Sequence, residues 1–173
     1  NAARIIIKDN GIGIVESEIK DSADMPISGI SARVVVYPEY QDGLDGIDEN
    51  SHLIIFGWLH QANREKLKVV PRKINPSANE KGVFSLRSPV RPNPIAICSV
   101  QLIKRENNIL YLDRIDFIDG TPVIDIKPYS TGLDSIFSAK RPTEMFLYEN
   151  LPEKEAFQNM LFEAAHFHGE ICV

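Results

Sequence analysis

Several things are scarce in this 173-residue chain, and each scarcity closes a door. There are two cysteines, Cys98 and Cys172, far apart and in no Cys-x-x-Cys pair. They offer no disulfide framework and no zinc knuckle, and a reducing cytoplasm is the compartment they fit. No apolar run approaches the roughly 20 residues of a membrane helix. The opening NAARIIIKDNGIGIV lacks the layout of a secretory signal. G-x-S-x-G, G-x-G-x-x-G and the phosphate-cradling Gly-rich loop are all missing, and Gly11-Ile12-Gly13 is only a fragment. No internal repeat or low-complexity tract is present.

What is there in quantity is β-forming sequence. Runs rich in Ile, Val, Phe and Tyr, bounded by Gly, Pro, Asn or Asp, occupy 11–17, 32–38, 52–60, 66–72, 82–88, 95–103, 109–118 and 122–128. KRENN (104–108) and Asp119-Gly120 are turn signals between them. Strands at such short spacing, without long intervening helices, exclude βαβ units. The expected fold is mainly β, a single antiparallel β-barrel over residues 1–140. Residues 141–173 form a C-terminal extension. Two helices are expected: a short one over Glu39–Ile47, with Tyr40, Leu44 and Ile47 on one face, and a longer one over Pro152–Phe167. One further strand is expected at Met145–Tyr148.

Charge is unevenly spread. Residues 64–91 hold eight Lys or Arg against two Glu, a net +6 inside a chain of net −5, which leaves −11 elsewhere. A basic strip on an acidic body suits phosphate binding without general adhesion to nucleic acid, although such strips are also found merely solvated. Arg72, Lys73 and Arg91 are its candidate RNA contacts.

The strip ends in RSPVRPNPI (87–95), which packs two arginines and three prolines into nine positions. Each proline fixes φ and pushes the preceding residue, Ser88, Arg91 or Asn93, toward extended geometry, so a helix is excluded. A stiff extended segment presents Arg87 and Arg91 as an anion clamp, or else serves as a rigid connector. In DFIDGTPVIDIKPY, Asp119-Gly120 reads as turn chemistry. Asp116 and Asp125 sit between large apolar residues, where a half-buried carboxylate requires a partner. Arg87 and Arg91 are the candidate partners, so an Arg–Asp network competes with a ligand pocket. His60, followed by Gln61, is either a site residue or a polar strand end. His166, His168 and Cys172 are metal-competent types, but they are too few for a complete site, and no metal is expected.

Taken together, PEYQDGLDGIDENSHLII, GVFSLRSPVRPNPIAI and DFIDGTPVIDIKPY resemble the TsaA-like β-barrel family, whose TrmO group methylates threonylcarbamoyl-adenosine beside the anticodon of tRNA. The resemblance runs from about Gly11 to Tyr129. It implies S-adenosyl-L-methionine as cofactor, tRNA as substrate and a homodimer whose partner completes the pocket. Cofactor-binding positions carried over are His60, Gln61, Arg87, Ile97 and the stretch Asp116, Asp119, Gly120 and Thr121; Asp116 is also the candidate proton acceptor. An arginine supplies directional donors to the cofactor's carboxylate, and its adenine fits an apolar slot.

Two positions depart from the pattern. Pro26-Ile27-Ser28 stands about where the family has Pro-Arg-Gln, and Gln61 replaces a basic residue. These departures and the acidic remainder leave a second reading, a module that senses the cofactor or methylates a small molecule within a larger fusion. AAHFHGEICV resembles the opening of FmdE-like domains, which implies such a fusion.

Overall fold

The computed structural model describes residues 11–136. Eight strands lie among them: β1 (Gly13–Glu16), β2 (Ile30–Val36), β3 (His52–Trp58), β4 (Lys68–Val69), β5 (Lys81–Gly82), β6 (Ile95–Glu106), β7 (Ile109–Ile115) and β8 (Pro122–Pro128). Six of them close a barrel in the order β1-β2-β7-β6-β3-β8, and β4 with β5 makes a separate two-stranded sheet. All pairings are antiparallel. Closure leaves no free sheet edge, so every barrel strand has two hydrogen-bonded neighbours. No helix among the described residues is long and apolar enough to cross a membrane.

Alternation decides what fills the barrel. Val15, Val34, Ile55, Val100 and Leu110 point inward and are essentially buried, each followed by a more exposed residue, while on β3 both Leu53 and Ile54 are buried. The register slips where β7 passes β2 and β6. There the Asp113 carboxylate accepts the Gln101 backbone N–H at 2.7 Å, replacing the ladder bond that the bulge removes. The β6–β7 hairpin is tighter than KRENN suggested. Strand continues through Glu106, and Asn107, at φ 55°, begins the turn.

Two elements differ from the expectation. Residues 83–85 form a 3-10 turn, not part of a strand. Val83 and Leu86, three apart, are the buried pair, while Phe84 between them is 81% exposed, so the period here is helical and not alternating. The helix expected over Glu39–Ile47 is two 3-10 segments, Pro38–Leu44 and Ile47–Glu49. Gly46, at φ 76°, reverses the chain between them. The helix expected over Pro152–Phe167, the strand at Met145–Tyr148 and the His166–Cys172 tail lie outside the described residues. The described residues divide into two compact units, one of 11–69 with 80–130 and one of 70–79 with 131–136. Within the second, α1 (Thr131–Asp134) is four residues long.

Candidate functional site at one end of the barrel

Antiparallel order brings six strand ends to one mouth: the ends of β1, β3 and β7 and the starts of β2, β6 and β8. Glu16, Trp58, Ile115, Ile30, Ile95 and Pro122 mark that rim. The candidate residues come from four stretches that run on from it, and the local bonding explains how each is held.

His60 and Gln61 occupy the tip of a turn directly after β3, closed by the Ala62 N–H donating to Leu59 O at 3.0 Å. Both are exposed, and the Gln61 amide nitrogen lies 3.4 Å from His60 Nε2. The turn is laced to the proline-rich segment twice. Leu59 N–H donates to Pro94 O at 2.8 Å, and Arg64 Nε donates to Pro92 O at 2.8 Å. Arg64 also stacks its guanidinium over Trp58, 5.3 Å from the ring centre.

The two arginines of RSPVRPNPI separate in role. Arg91 Nε donates to Ser88 O at 3.0 Å, and its Nη2 donates to Val83 O at 3.0 Å and Leu86 O at 2.5 Å. Its planar fork thus gathers three carbonyls of irregular backbone, of which Val83 O also accepts the Leu86 N–H at 3.3 Å. The expected pairing of an arginine with Asp125 is replaced: Asp125 meets Lys127 at 2.7 Å instead. Arg87 is exposed and has no protein acceptor among the described residues. Its donors are available to an external carboxylate or phosphate.

Asp116 follows β7 and is exposed rather than half-buried, since the strand ends one residue earlier. It stands beside Cys98. Burial, and after it the negative charge of Asp116, pushes the Cys98 thiol up to about 12. The next residue, Phe117, turns inward and is 1% exposed. A Cβ on Gly57 would stand 2.6 Å from the Phe117 ring, so only glycine lets that ring pass beneath β3. Asp119 and Gly120 then form a turn in which Thr121 N–H donates to Ile118 O at 3.2 Å and Gly120 takes φ 74°. Asp119 Oδ1 accepts the Ser17 N–H at 3.1 Å, and fully buried Thr121 donates its hydroxyl to Ile118 O at 2.7 Å. Ile97 faces outward opposite Phe56, as Ile95 does opposite Trp58; the two isoleucines are 45% and 46% exposed.

His60 and Gln61 are therefore tied to the proline-rich loop, Asp116 adjoins β6 at Cys98, and Phe117 links the aspartate segment to β3. Arg72 and Lys73 belong to the second unit. Among the described residues no group of three or more His, Cys, Asp or Glu is arranged to hold a metal ion. Sequence reasoning passed over Arg64, Trp58 and Phe84; the i, i+3 spacing of Val83 and Leu86 was the available signal for the last.

A small closed antiparallel barrel with a polar rim at one mouth defines the class. Residues 14–135 match the tRNA-methyltransferase O N-terminal domain, and the chain belongs to that family. A probable S-adenosyl-L-methionine-binding protein of Archaeoglobus fulgidus is 37% identical over 172 residues, covering 97% of this chain and 45% of its own length. The human tRNA (adenine(37)-N6)-methyltransferase is 39% identical over 123 residues, 70% of this chain and 27% of that protein. The chain thus spans less than half of either relative. Among solved structures, TrmO from P. aeruginosa superposes with a TM-score of 0.67 at 26% identity, covering 84% of this chain and 65% of that one. The barrel expected from the strand spacing is the fold of this relative, and the name of the Archaeoglobus protein carries the expected cofactor.

Proposed function

We propose that this chain binds S-adenosylmethionine at the described mouth and transfers its methyl group to the exocyclic amine of a modified adenosine in tRNA, threonylcarbamoyl-adenosine. The observation that carries this reading is the gathering at one barrel end of an arginine with no acceptor among the described residues, a polar turn and an exposed carboxylate, in a family named for tRNA methylation. The donor set suits the cofactor. Arg87 has an open fork for the carboxylate, His60 and Gln61 add polar contacts, and Ile97 with Phe56 offers an apolar wall to the adenine. The Asp119–Gly120–Thr121 turn is held rigid by its bonds to β1 and Ser17, so it positions without rearranging.

When bound, the cofactor supplies an electrophilic methyl carbon on a sulfonium sulfur. The acceptor amine is a weak nucleophile, and Asp116 is the carboxylate placed to accept its hydrogen bond and then its proton. Arg72 and Lys73 are assigned to RNA phosphates. Arg91 is assigned to holding the loop, because its donors already have acceptors. A homodimer is part of the reading, supported by the outward apolar pairs Phe56–Ile97 and Trp58–Ile95. The cytoplasm is the compartment the reading implies.

The name of the Archaeoglobus relative, which mentions only binding of the cofactor, favours a second reading: a cofactor-binding module of a longer protein. Methylation of bulk tRNA taken from cells that lack their own enzyme of this family separates the two. Methyl incorporation into the tRNA at threonylcarbamoyl-adenosine is expected. Cofactor binding in calorimetry with no methyl transfer and no tRNA affinity would replace the enzyme by the module.

A further inference from the structure

Phe84 has no part in the cofactor site described above, yet its presentation is built with care. The side chain is 81% exposed at the middle of a three-residue 3-10 turn. Its neighbours Val83 and Leu86 are anchored inside, at 1% and 6% exposure. Ser85 Oγ donates to Gly82 O at 2.7 Å, and Arg91 clamps the carbonyls of Val83 and Leu86. The turn cannot easily roll to hide the ring. A large aromatic held out in water contributes little to folding and is open to a partner.

The surroundings say which partner. Val83 N–H donates to Leu67 O at 3.0 Å, and Lys68 pairs with Gly82 across the β4–β5 sheet. The ring therefore stands next to the segment Lys66-Leu67-Lys68, with Lys81 before it and Arg87 after it. The side chains of Lys66, Lys68 and Arg87 are exposed and have no acidic partner among the described residues. Leu67, 61% exposed, extends the apolar floor beside the ring. An aromatic platform flanked by unpaired cations matches single-stranded nucleic acid, whose bases stack while its phosphates meet the charges.

We propose that Phe84 is the stacking platform for one unpaired base of the RNA substrate, with Lys66 and Lys68 contacting the adjoining phosphates. The inference deepens the tRNA reading and rests on it. Ring stacking asks nothing of base identity, so the platform would hold a loop nucleotide in place and leave recognition of the methylated adenosine to the barrel mouth.

The test uses an RNA hairpin whose single-stranded loop carries 2-aminopurine at one position at a time. With the wild-type chain, fluorescence quenching at one loop position is expected. In Phe84→Leu the quenching disappears and hairpin affinity falls on the order of tenfold, whereas Phe84→Trp retains both. Calorimetric affinity for S-adenosylmethionine stays at the wild-type value in Phe84→Leu, and so does the sedimentation coefficient. Wild-type RNA affinity in Phe84→Leu would overturn the proposal. So would loss of cofactor binding in that variant, which would place the ring in the cofactor slot. A drop in oligomeric state would overturn it too, by showing that a second copy covers the ring. A wild-type chain that methylates tRNA while Phe84→Leu binds RNA unchanged defeats this inference alone. A wild-type chain that binds cofactor but no RNA defeats the tRNA reading as well.

Discussion

At one mouth of the barrel the chain passes between strands through prolines, an outward phenylalanine and Arg87, which has no acceptor among the described residues; at the other it passes through residues 38–50, which hold Glu39, Asp42, Asp45, Asp48 and Glu49. That second mouth has an open cleft of about 550 Å³ lined by Glu39, Tyr40, Asp45, Asp125 and Ile126 among others. Its carboxylates repel phosphate. Both ends nevertheless solve the same backbone problem in the same way. Arg105 donates to Leu44 O at 2.9 Å, Asp48 at 3.2 Å and Asn107 O at 2.7 Å, as Arg91 does to three carbonyls at the opposite end. Where a chain of this size leaves regular structure, one arginine fork satisfies the acceptors that no ladder reaches. Arg87, with no acceptor among the described residues, is the exception.

The largest effect should come from the packing that carries the site end. Phe117→Ala removes a fully buried ring from beneath Gly57, and urea denaturation should show a loss of about 3–5 kcal/mol. A loss below about 1 kcal/mol would mean that the aspartate segment is not anchored through this ring.

The sharpest contrast between the mouths lies in their arginines. Arg87→Ala should weaken cofactor binding roughly tenfold to a hundredfold in calorimetry, and Arg87→Lys should recover only part of that. Arg105→Ala, at the acidic end, should instead lower stability by about 1–3 kcal/mol while leaving cofactor affinity intact. If the two variants exchange phenotypes, the assignment of ends is reversed.

Arg91→Ala should behave like Arg105→Ala in denaturation, with a loss of about 1–3 kcal/mol, because the carbonyls of Leu86 and Ser88 lose this donor and Val83 O keeps only the Leu86 N–H. A weakening of cofactor binding as large as that of Arg87→Ala, without any loss of stability, would instead make Arg91 part of the clamp.

The smallest effect concerns Cys98. With its thiol pushed up to about 12 by burial and by Asp116, alkylation at pH 8 should be slow. Asp116→Asn should speed it by removing the nearby negative charge. The folded value lies above the unfolded one, near 8.5. The thiol's contribution to stability is therefore complete below that pH and disappears as pH rises toward about 12. Alkylation as fast as in a free peptide would show that Cys98 is neither buried nor near Asp116.

Much of the barrel was legible before any coordinate, because alternation and turn chemistry are local. The runs at 32–38, 52–60 and 122–128 read as strands and fold as β2, β3 and β8. Asp119-Gly120 read as a turn and takes the left-handed φ that such a turn requires. The run at 82–88 misled, since its composition suits a strand while the burial of Val83 and Leu86 imposes a turn. The carboxylates misled as well. Asp116 was read as half-buried from its apolar neighbours, but β7 ends before it and leaves it in water.

By itself the sequence determined a closed-barrel pattern of β-strands, a non-helical RSPVRPNPI segment, a basic strip within an acidic chain and the family to which these belong. Only the tertiary structure decided which arginine is committed and which is open, that Asp125 pairs with Lys127, and that Phe84 faces water. Strand period and proline stiffness act within a few residues, so a short stretch of sequence contains their cause. The partner of a charge or a ring depends on which distant strands the barrel closes side by side. That choice is settled by burial across the whole sheet and not by the residues on either side.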